Sequence, residues 1–423
     1  MTNNIQIVPY DPARKAEVAE LLNICLGEKA TGCRDEAYWT WKHEQNPFGQ
    51  SVMLLAECDD RLVGVRAFMR WRLIAGGQVV EAAKPVDTVT HPEYQRRGIF
   101  SRLTSQACED ARNTGIQLIF NTPNQNSKPG YLKLGWQPVA DLPFYAKWLR
   151  PASAVWHAVR PKFGTAVSPT PEAFFRETPR TAVEIFQADA KLTPLLEGRN
   201  RVNDASAVHS PTSLTRELRV DGESDRQISE PSQAPSPAVG ESDPPGGGVE
   251  QAGRTRQPEA CPAADVARRV ENHSLASVGN SVDRLQTQRD LPFMKWRYSQ
   301  HPHIPYYAEV AGTDAKPDGV LFYRTNLRMG LREIMINDLL TREGDVETQT
   351  ALLHQLCSRV DAHYVVAHAA EETPLLASFR RLGFRRVPRR RITLVARSLT
   401  EGVEPNPYQG ANWSLCLGDI EGL

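Results

Sequence analysis

The sequence carries no excess charge of either sign. Lysine plus arginine and aspartate plus glutamate both number 50 in 423 residues, so no global field gathers nucleic acid or an anionic membrane surface. No apolar run is long enough to span a bilayer. The opening residues, MTNNIQIVPYDPARKAEV, lack the basic-then-apolar order of a secretion signal. The seven cysteines, Cys25, Cys33, Cys58, Cys108, Cys261, Cys357 and Cys416, stand far apart, with no CxxC pair and no histidine cluster. Neither a zinc site nor a disulfide framework is expected, and a reducing compartment fits. These absences predict a soluble, cytoplasmic protein with no metal, nucleic-acid or membrane partner. The length exceeds one ordinary core and predicts two or three domains.

What is present reads first as β then α. Ile5–Tyr10 alternates as a strand does, and Asp11 with Pro12 signals a helix start. Ala13 to Cys25 then carries an apolar stripe through Val18, Leu21, Leu22 and Cys25. Strand-like runs at Val52–Cys58, Leu62–Trp71 and Val79–Thr90 are broken by Asp59-Asp60 and Gly76-Gly77, which are hairpin signals. A helix over Ile99–Asn113, a strand over Ile116–Phe120, a short helix near Tyr131 and a strand around Pro143–Leu149 complete the unit. The order predicts an α/β domain with a mixed, mostly antiparallel central sheet flanked by helices.

The composition shifts between about residues 203 and 275, where PSQAPSPAVGESDPPGGGVEQAGR stands. Such a stretch buries too little apolar surface to offset its chain entropy and is expected to be a disordered insertion. Beyond it the first pattern returns. Trp41 to Pro47 parallels Trp296 to Pro302, and Gly64-Val65 parallels Gly319-Val320, both at an offset of 255 (296 − 41 and 319 − 64). Asp87 and Thr90 parallel Asp338 and Thr341. Tyr131-Leu-Lys-Leu134-Gly135-Trp136 parallels Phe379-Arg-Arg-Leu382-Gly383-Phe384. One fold is therefore expected twice: a first domain over 1–150, the start of a second over 151–202, the insertion over 203–275, and the remainder of the second over 276–423. Ala182–Phe186 and Leu192–Leu196 read as the second copy's first strand and helix.

The chemistry concentrates between Val86 and Trp136. A strand ends near Thr90, a loop holds Gln95, Arg96, Arg97 and Gly98, and a helix begins with Ile99. A helix N-terminus offers free N–H groups and positive potential. A glycine lets backbone approach an anion, and two arginines add charge, so the loop suits a pyrophosphate.

The run Gln95-Arg96-Arg97-Gly98-Ile99-Phe100 resembles motif A of the GCN5-related N-acetyltransferase (GNAT) superfamily, Q/R-x-x-G-x-G/A, with Phe100 in place of the usual small residue. The segment from Asn124 to Trp136 resembles the family's later Asn and Tyr-x-x-x-Gly-Phe/Trp motif. The resemblance implies two GNAT-like domains and an N-acetyltransferase that moves an acetyl group from acetyl-CoA to an amine by direct attack. It implies that Val89 and Thr90 pair with the pantetheine arm through their backbone. Gln95, Arg96, Arg97, Gly98, Ile99, Phe100 and Ser101 would hold the phosphates, and Asn126 would bind the arm or orient its loop. It further implies that Tyr131 protonates the leaving thiolate, a task suited to a phenol.

An acceptor ammonium also needs a base, for which Asp87 is a candidate. Its recurrence as Asp338 favours a structural part. Glu93, His91 and His43 are weaker candidates, and Trp41, with its twin Trp296, reads as core. In the second copy Glu343 and Asp345 replace the basic loop and Phe379 replaces Tyr131, so that copy is expected to be inactive. A non-catalytic acyl-CoA sensor or protein-interaction module is the rival reading. Fused copies make either a pseudo-dimeric monomer or a homodimer reasonable.

Overall fold

Local signals set the element boundaries. The Asp11 carboxylate accepts the Ala13 N–H at 2.9 Å and opens a short 3-10 turn, which runs on into helix α1, Lys15–Leu26. The computed structural model describes residues 5–27, 34–152, 170–187, 192–200, 283–313, 316–342 and 344–420. The expected insertion at 203–275 lies outside the described residues.

The first half comprises β1 (Ile5–Pro9), α1, α2 (Glu36–Trp39), β2 (Val52–Cys58), β3 (Arg61–Ala75) and β4 (Gln78–Thr90). It continues with α3 (Ile99–Asn113), β5 (Leu118–Asn121), α4 (Lys128–Lys133) and β6 (Gln137–Trp148). A π-helical turn, Thr40–Glu44, extends α2. The second half comprises β7 (Arg180–Thr181), α5 (Ala182–Gln187), α6 (Thr193–Asn200), β8 (Gln286–Thr287) and α7 (Leu291–Tyr298). Then come β9 (Tyr307–Thr313), β10 (Lys316–Arg328), β11 (Leu331–Thr341), α8 (Val346–Arg359), β12 (Tyr364–His368), α9 (Leu375–Arg381), β13 (Arg385–Ser398) and α10 (Leu417–Ile420).

Most of these elements match the sequence reading, with two corrections. Ala182–Phe186, expected as a strand, is helical. The Thr181 N–H donates to Glu184 Oε2 at 2.7 Å while the Glu184 N–H donates to Thr181 Oγ1 at 3.3 Å. This reciprocal capping box starts a helix regardless of the β-branched residues that follow. The strand expected near Pro143–Leu149 starts earlier, at Gln137.

The two halves do not build separate sheets. All strands but β8 lie in one mixed path, β1-β2-β3-β4-β5-β13-β6-β12-β11-β10-β9-β7, and β8 pairs with β3. Among the described strands, only β4–β5 and β11–β12 pair in parallel. The last strand of each half crosses to the other: β13 pairs with β5, and β6 pairs with β12. Each exchanged strand satisfies backbone groups that would otherwise line an open edge. The exchange brings Val395 of β13 into the core beneath α3, beside Leu103, Ala107 and Ile119.

A local two-fold relation is visible at Trp41 and Trp296. Their rings stack at 4.8 Å and 16°. Trp41 Nε1 donates to the Trp296 carbonyl at 2.9 Å, and Trp296 Nε1 donates to the Trp41 carbonyl at 2.8 Å. Such reciprocity is the signature of a self-complementary contact. A core of buried residues from both halves surrounds the pair, including Trp71, Phe293 and Phe322.

Candidate active site

Strands β4 and β5 pair over only two positions, Ala82↔Leu118 and Ala83↔Ile119. Beyond them β5 takes β13 as its partner, and β4 is left with one unpaired side from Lys84 onward. A cavity of about 810 Å³ opens in this gap, with Lys84–Thr90 on one wall and Asn121–Asn124 on the other.

Gln95, Arg96, Gly98, Ile99 and Phe100 close one end. Gly98 precedes α3 with φ of 76°, a left-handed conformation that favours glycine. The first N–H groups of α3 lack intrahelical acceptors, an arrangement suited to an anion. Phe100, the departure from the family pattern, packs against α4. A Cβ added at Gly130 would stand 2.8 Å from its ring, and the ring meets Tyr131 edge-on at 5.4 Å. A bulky residue is thus absorbed where the facing helix has no side chain.

The structure brings Asp87, Val89, Thr90, Gln95, Arg96, Gly98, Ile99, Phe100, Asn126 and Tyr131 to this one cavity. Two expected coenzyme residues are not in its lining. Arg97 folds back, donating to the Glu93 carbonyl at 3.0 Å with its guanidinium 4.8 Å from the Tyr94 ring centre. Ser101 is exposed on α3. Asn126 lines the cavity, but Asn124 fixes the loop, its Oδ1 accepting the N–H groups of Asn126 and Ser127 at 3.0 and 2.9 Å.

Asp87 lies at a bulge. Val86 faces Ala67 and Val89 faces Val65, so Asp87 and Thr88 together face Arg66. Asp87 has φ of 42°. Its buried carboxylate meets Lys42 Nζ at 2.7 Å and His43 Nε2 at 3.1 Å. Burial raises its pKa, but the Lys42 ammonium and the His43 hydrogen bond outweigh burial and hold it well below the usual carboxylate range. So strong an acid is a poor proton acceptor near neutral pH. Lys42 and His43 thus take up the carboxylate at the bulge, which fits the structural part that its recurrence suggested. His43 is fully buried between Ser51 and Asp87, and burial lowers its pKa.

Arg66 went unnoticed in the sequence. It is fully buried, and among the described residues no carboxylate lies within ion-pair distance of it. Nη1 donates to Tyr131 Oη at 2.8 Å and to Thr88 Oγ1 at 2.7 Å, and Nη2 donates to Thr104 Oγ1. The guanidinium lies against the rings of Phe68, Phe100 and Tyr131. An arginine amid apolar β3 residues gives no sequence signal; only the fold reveals its partners. Arg66 occupies the acceptor side of the Tyr131 hydroxyl and leaves its proton to be donated elsewhere.

Among the described residues no group of histidine, cysteine, aspartate and glutamate is placed to hold a metal, and no helix is long and apolar enough to cross a membrane.

Residues 8–139 match the family model described as an acetyltransferase (GNAT) domain. The divided β4–β5 pair and the helix-terminal loop both lie within this matched segment, which resembles that family. A GCN5-related N-acetyltransferase from Kribbella flavida is similar over 94% of this chain and 71% of its own, with 13% identity and a TM-score of 0.51. One from Anabaena variabilis is similar over 94% and 73%, with 12% identity and a TM-score of 0.51. A conserved protein of unknown function from Enterococcus faecalis, described as a probable N-acyltransferase, covers the same shares with 10% identity and a TM-score of 0.50. At these identities the likeness concerns the fold. No curated protein matches the chain.

Proposed function

We propose that this chain is an acyl-CoA-dependent N-acyltransferase, most simply an N-acetyltransferase using acetyl-CoA and a primary amine. The observation that carries this reading is the convergence, in one cavity, of the α3 N-terminus, the unpaired side of β4 and the Tyr131 hydroxyl. The pyrophosphate would rest on the loop Gln95–Phe100, with Arg96 as its cation, and the pantetheine arm would pair along Val89 and Thr90. Backbone N–H at the bulge would receive the thioester oxygen as it gains charge. The amine attacks the carbonyl carbon, the C–N bond forms and the C–S bond breaks. Tyr131 gives its proton to the thiolate. Holding both substrates in register supplies much of the rate. Metal plays no part in this reading.

The second half is proposed as a second GNAT-like domain without activity, making the chain a pseudo-dimer that works as a cytoplasmic monomer. Release of free thiol from acetyl-CoA, measured across small-molecule, amino-sugar and peptide amines, tests the assignment. Amine-dependent release is expected. Tight coenzyme binding with no release on any amine would instead favour a sensing module.

A further inference from the structure

Lys84 stands on β4 in the cavity wall, three residues before Asp87, and is only 5% exposed. Its Nζ donates to the Asp419 carbonyl at 2.5 Å and lies 4.4 Å from the Trp71 ring centre. No carboxylate among the described residues pairs with it. The Asp419 carboxylate is engaged by Arg289 at 2.9 Å and by the Cys416 N–H at 2.8 Å. That of Asp87 is held by Lys42 and His43. A lysine ordinarily avoids such a place unless paired.

We propose that Lys84 is the general base of this transferase, a buried primary amine in the cavity wall that takes the proton from the acceptor ammonium. The assignment rests on the acyltransferase reading above. Burial pushes the Lys84 pKa down to about 7; Asp419 opposes the shift, while Arg297 of α7 and Lys42 of the π-helical turn favour it. Cys416 also opposes the shift, and the Trp71 ring lies against the amine. A base is most effective when its pKa lies near the working pH, and lysine is readily tuned in this way by burial.

The protons balance. Lys84 takes one from the ammonium, and the freed amine attacks the thioester. Tyr131 protonates the sulfur and is reprotonated, through water, by the second proton leaving the new amide nitrogen. Lys84 then releases its proton to solvent, so each turnover liberates one proton.

The second half shows that the frame tolerates an apolar residue here. Lys84 pairs with Met69 on β3, and the matching position on β11 is Met335, which pairs with Arg324. Lys84→Met is therefore expected to fold.

The test uses the full chain, acetyl-CoA and the best acceptor of the amine panel. Acetyl-CoA binding is measured by calorimetry, and kcat and kcat/KM are followed against pH. In the wild type kcat/KM should rise through an apparent pKa near 7. Lys84→Met should lower kcat by about 100-fold, abolish that limb and leave acetyl-CoA binding intact. Lys84→Arg keeps the charge but cannot deprotonate, so it should lose as much. The proposal fails if Lys84→Met keeps the limb, or if Lys84→Arg turns over like the wild type. It also fails if mass spectrometry finds Lys84 itself acetylated by acetyl-CoA alone, which would make it a nucleophile. If the wild type does not bind acetyl-CoA, the acyltransferase reading falls and Lys84 falls with it. Binding with an unaffected Lys84→Met turnover removes only Lys84.

Discussion

Asp87 on β4 and Asp338 on β11 hold matching places in the two halves. Each is buried against a cation, Lys42 at 2.7 Å in one half and Arg289 at 2.6 Å in the other. The register around them also matches, with Gly64 facing Thr90 and Gly319 facing Thr341. Around this shared frame the residues diverge. Two positions beyond the glycine, Arg66 becomes Leu321. Tyr131 becomes Phe379, which packs on Phe384 at 4.8 Å. Where the first half has a basic loop, Asp345 caps α8, accepting the Thr348 N–H at 2.9 Å. The cavity at the second site is about 130 Å³ against about 810 Å³ at the first. What recurs holds the fold, and what differs is the polar equipment of the proposed chemistry.

The largest expected effects fall on the shared frame. Asp87→Asn removes a counter-charge from the fully buried Lys42 and should destabilise the chain by about 3–5 kcal/mol in chemical denaturation. Asp338→Asn should cost less, because Arg289 keeps the Asp419 carboxylate at 2.9 Å. The pH dependence has a definite sign. Folding lowers the Asp87 pKa, so its contribution is complete above about pH 4 and is lost as pH falls below that. Stability of Asp87→Asn should therefore depend less on pH in the acid range. A large loss from Asp87→Asn with none from Asp338→Asn would break the equivalence.

Next comes a residue that only the first half has. Tyr131→Phe copies the second half and should lower kcat by about 100-fold while acetyl-CoA affinity holds. Unchanged turnover would remove Tyr131 from acid catalysis. A smaller effect is expected at the loop. Arg96→Glu should weaken acetyl-CoA binding by about tenfold, the scale of one charge-assisted hydrogen bond. Arg97→Glu, outside the cavity lining, should change it far less. Equal losses at both positions would mean that Arg97 swings into the site when the coenzyme binds.

Much of this was legible before the fold was known, for identifiable reasons. α3 matched over its whole length because a glycine and an amphipathic run mark its limits. Hairpin turns announced β2 to β4, and repeated tryptophans announced the second half. Strand exchange was not legible. β13 and β6 have the same pattern whichever half they join, since alternation fixes which face is buried but not which neighbour supplies the hydrogen bonds. Arg66 and Lys84 escaped for a related reason. A lone basic residue in a strand reads as solvated until the sheet shows that it points into a closed space. Asp87 was visible, but its partners Lys42 and His43 stand more than forty residues away.

The smallest effect tests the symmetry itself. Trp41 and Trp296 each donate an indole N–H to the other's carbonyl and share one stacked face. Either tryptophan replaced by phenylalanine loses one hydrogen bond, and the two single losses should be nearly equal. In a double-mutant cycle the pair should couple by about 0.5–1.5 kcal/mol, the range for aromatic pairs beyond burial. Coupling arises because the second replacement acts on a stack already weakened by the first. Zero coupling would mean that the rings pack independently, each with its own half. Coupling with very unequal single losses would mean that the contact is shared but that one half alone determines its stability.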